Sequence, residues 1–106
     1  MVTLDMIPKT AALKIQVSQG DTGARRFIFA LRTGNAPYTL TTETVTFVQS
    51  NGVEHACTIA DGKAVLDCYA DMSAAAGIYR CKLRIEDGNG GVLNTAAFRL
   101  KVEEQP

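Results

Sequence analysis

The tripeptide Asp21-Thr22-Gly23 is the part of this 106-residue sequence whose residue types most directly suggest chemistry. Retroviral-type aspartic proteases are all-β chains of similar length, and each subunit of the homodimer contributes one Asp-Thr-Gly. Two carboxylates held close together share one proton, which separates their pKa values. Here, however, the motif follows Ser18-Gln19-Gly20 and not an apolar strand end. We therefore expect Asp21 to cap local amides in a turn, and a dimeric aspartic protease is the less favoured alternative.

His55 and the three cysteines are the second set of possible functional side chains. Zinc sites usually contain close pairs such as Cys-x-x-Cys, whereas Cys68 and Cys81 stand apart from the His55 and Cys57 pair. Free thiols are common on buried apolar faces, and an odd number of them favours a reducing compartment over a disulfide framework. We expect no metal, no cofactor and no catalytic residue, because no spacing suggests a nucleophile beside a base.

Positive charges alternate along one predicted strand and continue on its predicted neighbour. The residues are Arg80, Lys82, Arg84, Arg99 and Lys101. A solvated face explains such a pattern, and the alternative is a docking surface on which charge orients an acidic partner. We take these five as the candidate partner-binding residues. The formal net charge of zero disfavours bulk binding to nucleic acid or to a membrane surface.

These side chains must be positioned by a small domain built from strands. Apolar and polar residues alternate in several short runs, and no stretch keeps a helical period over three turns. The clearest hairpin joins residues 53–60 and 63–69 across Asp61-Gly62, and a second joins 78–86 and 91–102. A two-residue turn pairs Ala60 with Lys63, and a four-residue loop pairs Glu86 with Gly91. The pattern predicts an antiparallel, immunoglobulin-like β-sandwich of about seven strands.

The register of each hairpin predicts which side chains form the core. In the first hairpin the core residues are His55, Cys57, Ile59, Ala64, Leu66 and Cys68. In the second they are Tyr79, Cys81, Leu83, Ile85, Val92, Asn94, Ala96 and Phe98. Asn94 is polar, so it needs a hydrogen-bond partner, a bulge or an opening to water.

One domain accounts for the length, and 46% apolar residues suffice for a single core. We predict an N-terminal arm over 1–10, the sandwich over 11–102, and the start of a linker over 103–106. No apolar run approaches the roughly 18 residues of a membrane span, and residues 1–10 do not have the pattern of a secretory signal. An exposed arm could add to the sheet edge of a neighbour.

Two family resemblances follow from these motifs. Gly77-Ile78-Tyr79-Arg80-Cys81 looks like the late strand of an immunoglobulin domain, although the chain has no Trp. A resemblance covering about residues 12–102 is to the N-terminal domain of the siphophage baseplate upper protein family, found in phages and prophages of Gram-positive bacteria. Its motifs, in order, are Gln19-Gly20-Asp21-Thr22-Gly23, Asn35-Ala36-Pro37-Tyr38-Thr39-Leu40-Thr41, Val45-Thr46-Phe47, Asp61-Gly62 before Ala64-Val65, Ala76-Gly77-Ile78-Tyr79 before Leu83-Arg84-Ile85, and Asn94-Thr95 with Phe98 and Val102.

The baseplate resemblance implies a structural role in the virion tail for a protein made in the host cytoplasm. Such a domain anchors a longer, often trimeric, receptor-binding protein to other tail and baseplate proteins at the tail tip. The resemblance implies no enzymatic activity, no cofactor and no binding to nucleic acid or to a membrane. The alternative is an immunoglobulin-like carbohydrate- or cell-surface-binding module, for which Tyr38 and Tyr69 are the plausible sugar-stacking residues.

Overall fold

Strands dominate the computed structural model of the chain, which describes residues 2–6, 10–22, 25–34 and 36–104. The strands are β1 (Val2–Asp5), β2 (Thr10–Ser18), β3 (Arg26–Thr33), β4 (Ala36–Tyr38), β5 (Thr44–Gln49), β6 (Glu54–Ala60), β7 (Lys63–Asp67), β8 (Gly77–Glu86), β9 (Val92–Asn94) and β10 (Ala97–Glu103). One 3₁₀ turn, Ala70–Met72, lies between β7 and β8. The predicted all-β sandwich is confirmed; the three strands beyond the predicted seven correspond to the short β1, β4 and β9. In the described part of the chain, no helix is long and apolar enough to cross a membrane.

The two layers of the sandwich are parts of one curled sheet. Its strand order is β1-β3-β7-β6-β5-β8-β10-β2, with β4 added to β3 and β9 added to β8. Strand β6 connects the layers, because Glu54 to Cys57 pair with β5 and Thr58 to Ala60 pair with β7. The predicted pairing of Ala60 with Lys63 is confirmed. Cys57 pairs with Val45 of β5, because β6 passes to β7 only after this residue; the two-residue-turn register therefore does not extend to Cys57.

The second hairpin differs by one residue from the predicted register. Glu86 pairs with Val92 and not with Gly91, because the connecting loop has five residues. The Asp87 carboxylate stabilises this loop by accepting hydrogen bonds from the backbone N–H groups of Asn89 at 2.7 Å and Gly91 at 3.0 Å. Val92, predicted to lie in the core, is consequently 53% exposed.

A second irregularity between β9 and β10 restores the core register. Asn94 pairs with Arg84, whereas Phe98 pairs with Cys81, so one extra residue lies between these pairs. Thr95 fills the irregularity by accepting a hydrogen bond from Leu83 N–H through its Oγ1 at 3.0 Å. Asn94 is therefore not a core-facing residue of a regular strand. Its buried Oδ1 has no hydrogen-bond partner within the described ranges.

The described part of the predicted N-terminal arm belongs to the sandwich. Val2–Asp5 forms β1, which lies parallel to β3, and Leu4 is only 1% exposed. The carbonyl of Asp5 accepts a hydrogen bond from Ala96 N–H at 2.8 Å. The expectation of an exposed arm is thus corrected for residues 2–5, and residues 7–9 lie outside the described residues. Strand β10 also continues through Glu103, the first residue of the predicted linker; residues 105–106 are not among those described.

The centre of the core is a group of three phenylalanines from both layers. Phe98 lies between Phe29 and Phe47, with ring centroids at 5.3 and 6.3 Å, and all three are 0% exposed. Phe29 comes from β3 in one layer, and Phe47 and Phe98 come from β5 and β10 in the other. This packing fixes the inward side of β8 and β10, so their alternate residues face outward.

Candidate functional site: the basic outer face of β8, β10 and β2

Three exposed cations lie side by side across three strands. Arg99 of β10 is directly opposite Arg80 of β8 on one side and Lys14 of β2 on the other. Directly opposite residues of a sheet point to the same face, and all three residues are exposed. None of them makes an ion pair within the part of the chain that the structure describes. We call Lys14, Arg99 and Arg80 the cation row.

Two of the five predicted partner-binding residues are neutralised within the domain. The Arg84 guanidinium contacts Glu54 at 3.0 Å and Glu86 at 3.3 Å, and the hydrogen bond to Glu54 raises the pKa of Arg84 above its usual value. Lys101 pairs with Glu103 at 2.9 Å. These two cations are on the predicted face, but their charges are largely offset there.

Lys82 completes the predicted set and is half-buried beside Val48 of β5. The structure thus brings all five predicted residues to one outer face; their role in partner binding stays a prediction. Sequence reasoning missed Lys14. Its signal was the alternation of Leu13, Ile15 and Val17, which turns Lys14 outward, but the parallel pairing of β2 with β10 could not be read from that pattern.

An aliphatic side chain lies one row away from the cation row. Ile78 of β8 is 63% exposed and is directly opposite Lys101. On the other side of Lys101 the partner in β2 is Gln16, whose side chain donates a hydrogen bond to Glu103 at 2.9 Å. The face therefore combines unpaired cations, an exposed aliphatic group and neutral polar groups.

Asp21 has the predicted turn-capping role. Its Oδ2 accepts a hydrogen bond from Ser18 N–H at 2.9 Å, and Arg25 contacts the same oxygen at 3.1 Å. Its backbone carbonyl accepts a hydrogen bond from Ser73 Oγ at 2.6 Å. Gly20 has a φ of +90°, which favours glycine; Gly23 lies outside the described residues. The Asp21 carboxylate is thus used to hold the turn after β2.

The three cysteines and His55 make different contacts in the structure. The three thiols are free, and burial raises the pKa values of Cys57 and Cys81 to about 12. His55 instead contacts Asp71 at 2.6 Å and stacks on the Tyr69 ring at 3.9 Å. The described residues contain no cluster of three or more potential metal ligands. Sequence reasoning missed the contact between His55 and Tyr69, because it depends on how the 3₁₀ turn folds back.

The two tyrosines considered for sugar stacking are both engaged within the chain. One face of the Tyr69 ring is covered by His55. Tyr38 is half-buried, and its hydroxyl donates a hydrogen bond to Glu43 at 3.3 Å; burial is the main cause that raises the pKa of Tyr38. Neither tyrosine presents a fully exposed ring, so this geometry does not favour a carbohydrate platform.

Comparison with solved structures identifies the fold. The N-terminal domain of phage TP901-1 ORF48 is similar with a TM-score of 0.76 and 12% sequence identity, over 96% of this chain and 95% of that chain. A fibronectin(III)-like module structure of Clostridium thermocellum CbhA is similar with a TM-score of 0.55 and 13% identity, over the full length of both chains. No protein-family model and no curated protein matches the sequence. The chain is therefore an immunoglobulin-like β-sandwich with the fold of a phage protein's N-terminal domain.

Proposed function

We propose that this domain is a structural and interaction module of a phage or prophage tail baseplate. In this role it anchors a longer receptor-binding assembly to the tail tip. The observation that carries the proposal is the similarity to the phage TP901-1 domain over 96% of the chain. The TM-score of 0.76 for that domain is higher than the 0.55 for the fibronectin-like module. The ordered motifs shared with the baseplate upper protein family support the same conclusion.

The mechanism is the docking of a preformed sheet face. A rigid sandwich loses little conformational freedom on binding, so modest contacts contribute efficiently to affinity. When several copies are held in a symmetric assembly, a high effective concentration makes weak single contacts sufficient. A trimeric full-length protein would present three such faces. The exposed outer face of β8, β10 and β2 is available for this contact.

The ionisable groups considered for catalysis make contacts within the domain. Asp21 holds a turn, His55 contacts Asp71, and burial raises the pKa values of the half-buried Cys57 thiol and the buried Cys81 thiol to about 12. A thiol with such a pKa is almost wholly protonated near neutral pH and is a poor nucleophile. These contacts support a non-enzymatic role.

Electron microscopy of particles can test the proposed function. An antibody raised against the folded domain is applied to purified virions and detected with gold. We expect gold at the distal end of the tail, and we expect this label to disappear when the antibody is first absorbed with the domain. Label confined to the capsid, or particles that lack the chain altogether, would contradict the proposal.

A further inference from the structure

We infer that the cation row, Lys14, Arg99 and Arg80, binds an acidic segment of a protein partner. The three cations occupy directly opposite positions of three adjacent strands and are exposed. Within the described ranges, no carboxylate pairs with any of them. The surface therefore has a line of positive charge with no internal counter-charge.

The distribution of charge on this face is selective. Like charges directly opposite each other destabilise a sheet, yet Arg99 has a cation opposite it on both sides. Elsewhere on the same face, Arg84 and Lys101 each have a glutamate partner. The like-charge pairs without a carboxylate thus lie in the cation row, where incoming carboxylates would relieve their repulsion. Lys82, the other cation on this face without an ion pair among the described residues, is half-buried beside Val48.

The spacing of the row indicates the form of segment that fits it. Neighbouring strands are about 4.7–4.9 Å apart, so the three cations emerge at roughly 5 Å intervals along a line across the strands. Side chains one turn apart on a helix have Cβ atoms about 5–6 Å apart. A helix with carboxylates at i, i+4 and i+7 therefore matches the row when it crosses the strands. The guanidinium groups of Arg80 and Arg99 can each bind a carboxylate through two hydrogen bonds.

The surroundings favour a protein over a nucleic acid. The chain has a formal net charge of zero, whereas nucleic-acid-binding domains usually have a basic excess. Glu54, Glu86 and Glu103 lie on or beside the same face and would repel a continuous phosphate backbone that extends past the row, whereas a peptide can place its carboxylates opposite the row alone. Exposed Ile78 lies one row away, and a mixture of arginine and apolar side chains is typical of protein interfaces. The acidic chemistry of the segment is inferred from the cation row itself. Its assignment to a neighbouring tail protein rests on the proposed function.

A peptide titration followed by NMR tests the inference. The probe is an alanine-based helical peptide with Glu at i, i+4 and i+7, and the control peptide has Gln at those positions. We expect the Glu peptide to shift the backbone amide signals of residues 14, 80 and 99, with affinity falling as salt is added. The Gln peptide should give no such shifts.

Matched variants distinguish the effect of the cation row from the effect of net charge on peptide affinity. The variant K14Q/R80Q/R99Q should lower the affinity for the Glu peptide at least tenfold. The control R26Q/R32Q/K63Q removes the same number of charges from β3 and β7, which belong to the other layer of the sandwich. Its affinity should stay within about twofold of the wild type, since those charges lie away from the cation row and salt screens exposed charges at such separations. The unbound spectrum of each variant verifies that it is folded.

Two results would overturn the inference. An equal loss of affinity in the two triple variants would show that only net charge matters. Tighter binding of a single-stranded oligonucleotide with the same number of charges would assign the row to nucleic acid. The particle-labelling experiment is independent of both results. If gold is absent from virions, the tail role is contradicted but the acidic-segment site is not. If the Glu peptide does not bind, the site is contradicted but the tail role is not.

Discussion

Arg99 of β10 lies directly opposite Arg80 of β8 on the outer face of the sandwich, and both side chains are exposed. Lys14 continues the line on the next strand. Such an arrangement does not help the isolated domain, because like charges opposite each other are unfavourable. On the same face Arg84 and Lys101 are paired with glutamates, so the unpaired row fits the proposed contact with an acidic partner and leads to a prediction about stability.

Reversing one charge of the row should stabilise the isolated domain. Arg80→Glu replaces a repulsive cross-strand pair with an attractive one facing Arg99. We expect the free energy of unfolding to rise by about 0.2–1 kcal/mol, measured by urea unfolding at low salt. The gain should shrink in high salt, because exposed charges are screened.

The control for this change is Arg84→Glu on the same strand and face. It breaks the contacts with Glu54 and Glu86 and adds a like charge beside them. We expect it to lower stability. If Arg80→Glu proved as destabilising as Arg84→Glu, the cation row would not be a site of uncompensated repulsion.

The Phe98 side chain should be the most sensitive part of the core. It packs between Phe29 and Phe47 and joins the two layers. Phe98→Ala should cost about 3–5 kcal/mol, from lost burial and the cavity left behind. Leu93→Ala is the control, since Leu93 is half exposed and should change stability by no more than about 0.5 kcal/mol. Stability is measured by thermal and urea unfolding. If Phe98→Ala and Leu93→Ala lowered the free energy of unfolding equally, the assigned core would be contradicted.

Asp21 should contribute to stability through its turn. Asp21→Ala removes the hydrogen bond to Ser18 N–H and the contact with Arg25, at an expected cost of about 1 kcal/mol. Hydrogen exchange at the Ser18 amide should accelerate. Asp21→Asn keeps a side-chain oxygen that can accept the same hydrogen bond, so we expect a smaller loss. Acid-dependent peptide cleavage by the wild type that disappears in Asp21→Asn would instead support the protease alternative.

The buried thiols should make the domain less stable at alkaline pH. Burial raises the pKa values of Cys57 and Cys81 to about 12, whereas an unfolded thiol titrates near pH 8.5. Above that pH the unfolded state loses its thiol protons first, so the free energy of unfolding falls as pH rises toward 12. Each thiol contributes a slope of up to about 1.4 kcal/mol per pH unit.

The variant C57A/C81A tests this assignment. Its stability should depend less steeply on pH between about 9 and 12 than that of the wild type. An unchanged slope would show that other groups, such as the lysines and tyrosines, dominate alkaline unfolding. The sign of the pH dependence follows because burial disfavours the charged form of a thiol.

Local sequence signals predicted the parts of the fold that depend on neighbouring residues. Asp61-Gly62 marked a turn in which both residues have positive φ, and the Ala60 to Lys63 pairing followed from it. The alternation in β8 correctly put Arg80, Lys82 and Arg84 on the outer side. The turn-capping role predicted for Asp21 is confirmed by its hydrogen bond from Ser18 N–H.

Features that depend on distant contacts were not readable from the sequence. The alternation of inward-facing and outward-facing residues continues unchanged along β6 while its pairing passes from β5 to β7. No local pattern therefore marks the change of layer. The Asp87 hydrogen bonds lengthened a loop by one residue and reversed the expected side of Val92. Lys14 entered the candidate site through a parallel pairing with Arg99, over 80 positions away in the sequence.

The most direct test of the account is the number of copies of this chain in each purified phage particle, measured by quantitative mass spectrometry. Particles made with the wild type and with R26Q/R32Q/K63Q should contain the same tail-associated number of copies. Particles made with K14Q/R80Q/R99Q should contain markedly fewer, although the variant is folded and expressed. Equal incorporation of all three, or no copies in wild-type particles, would contradict the claim that this face attaches the domain to a phage tail.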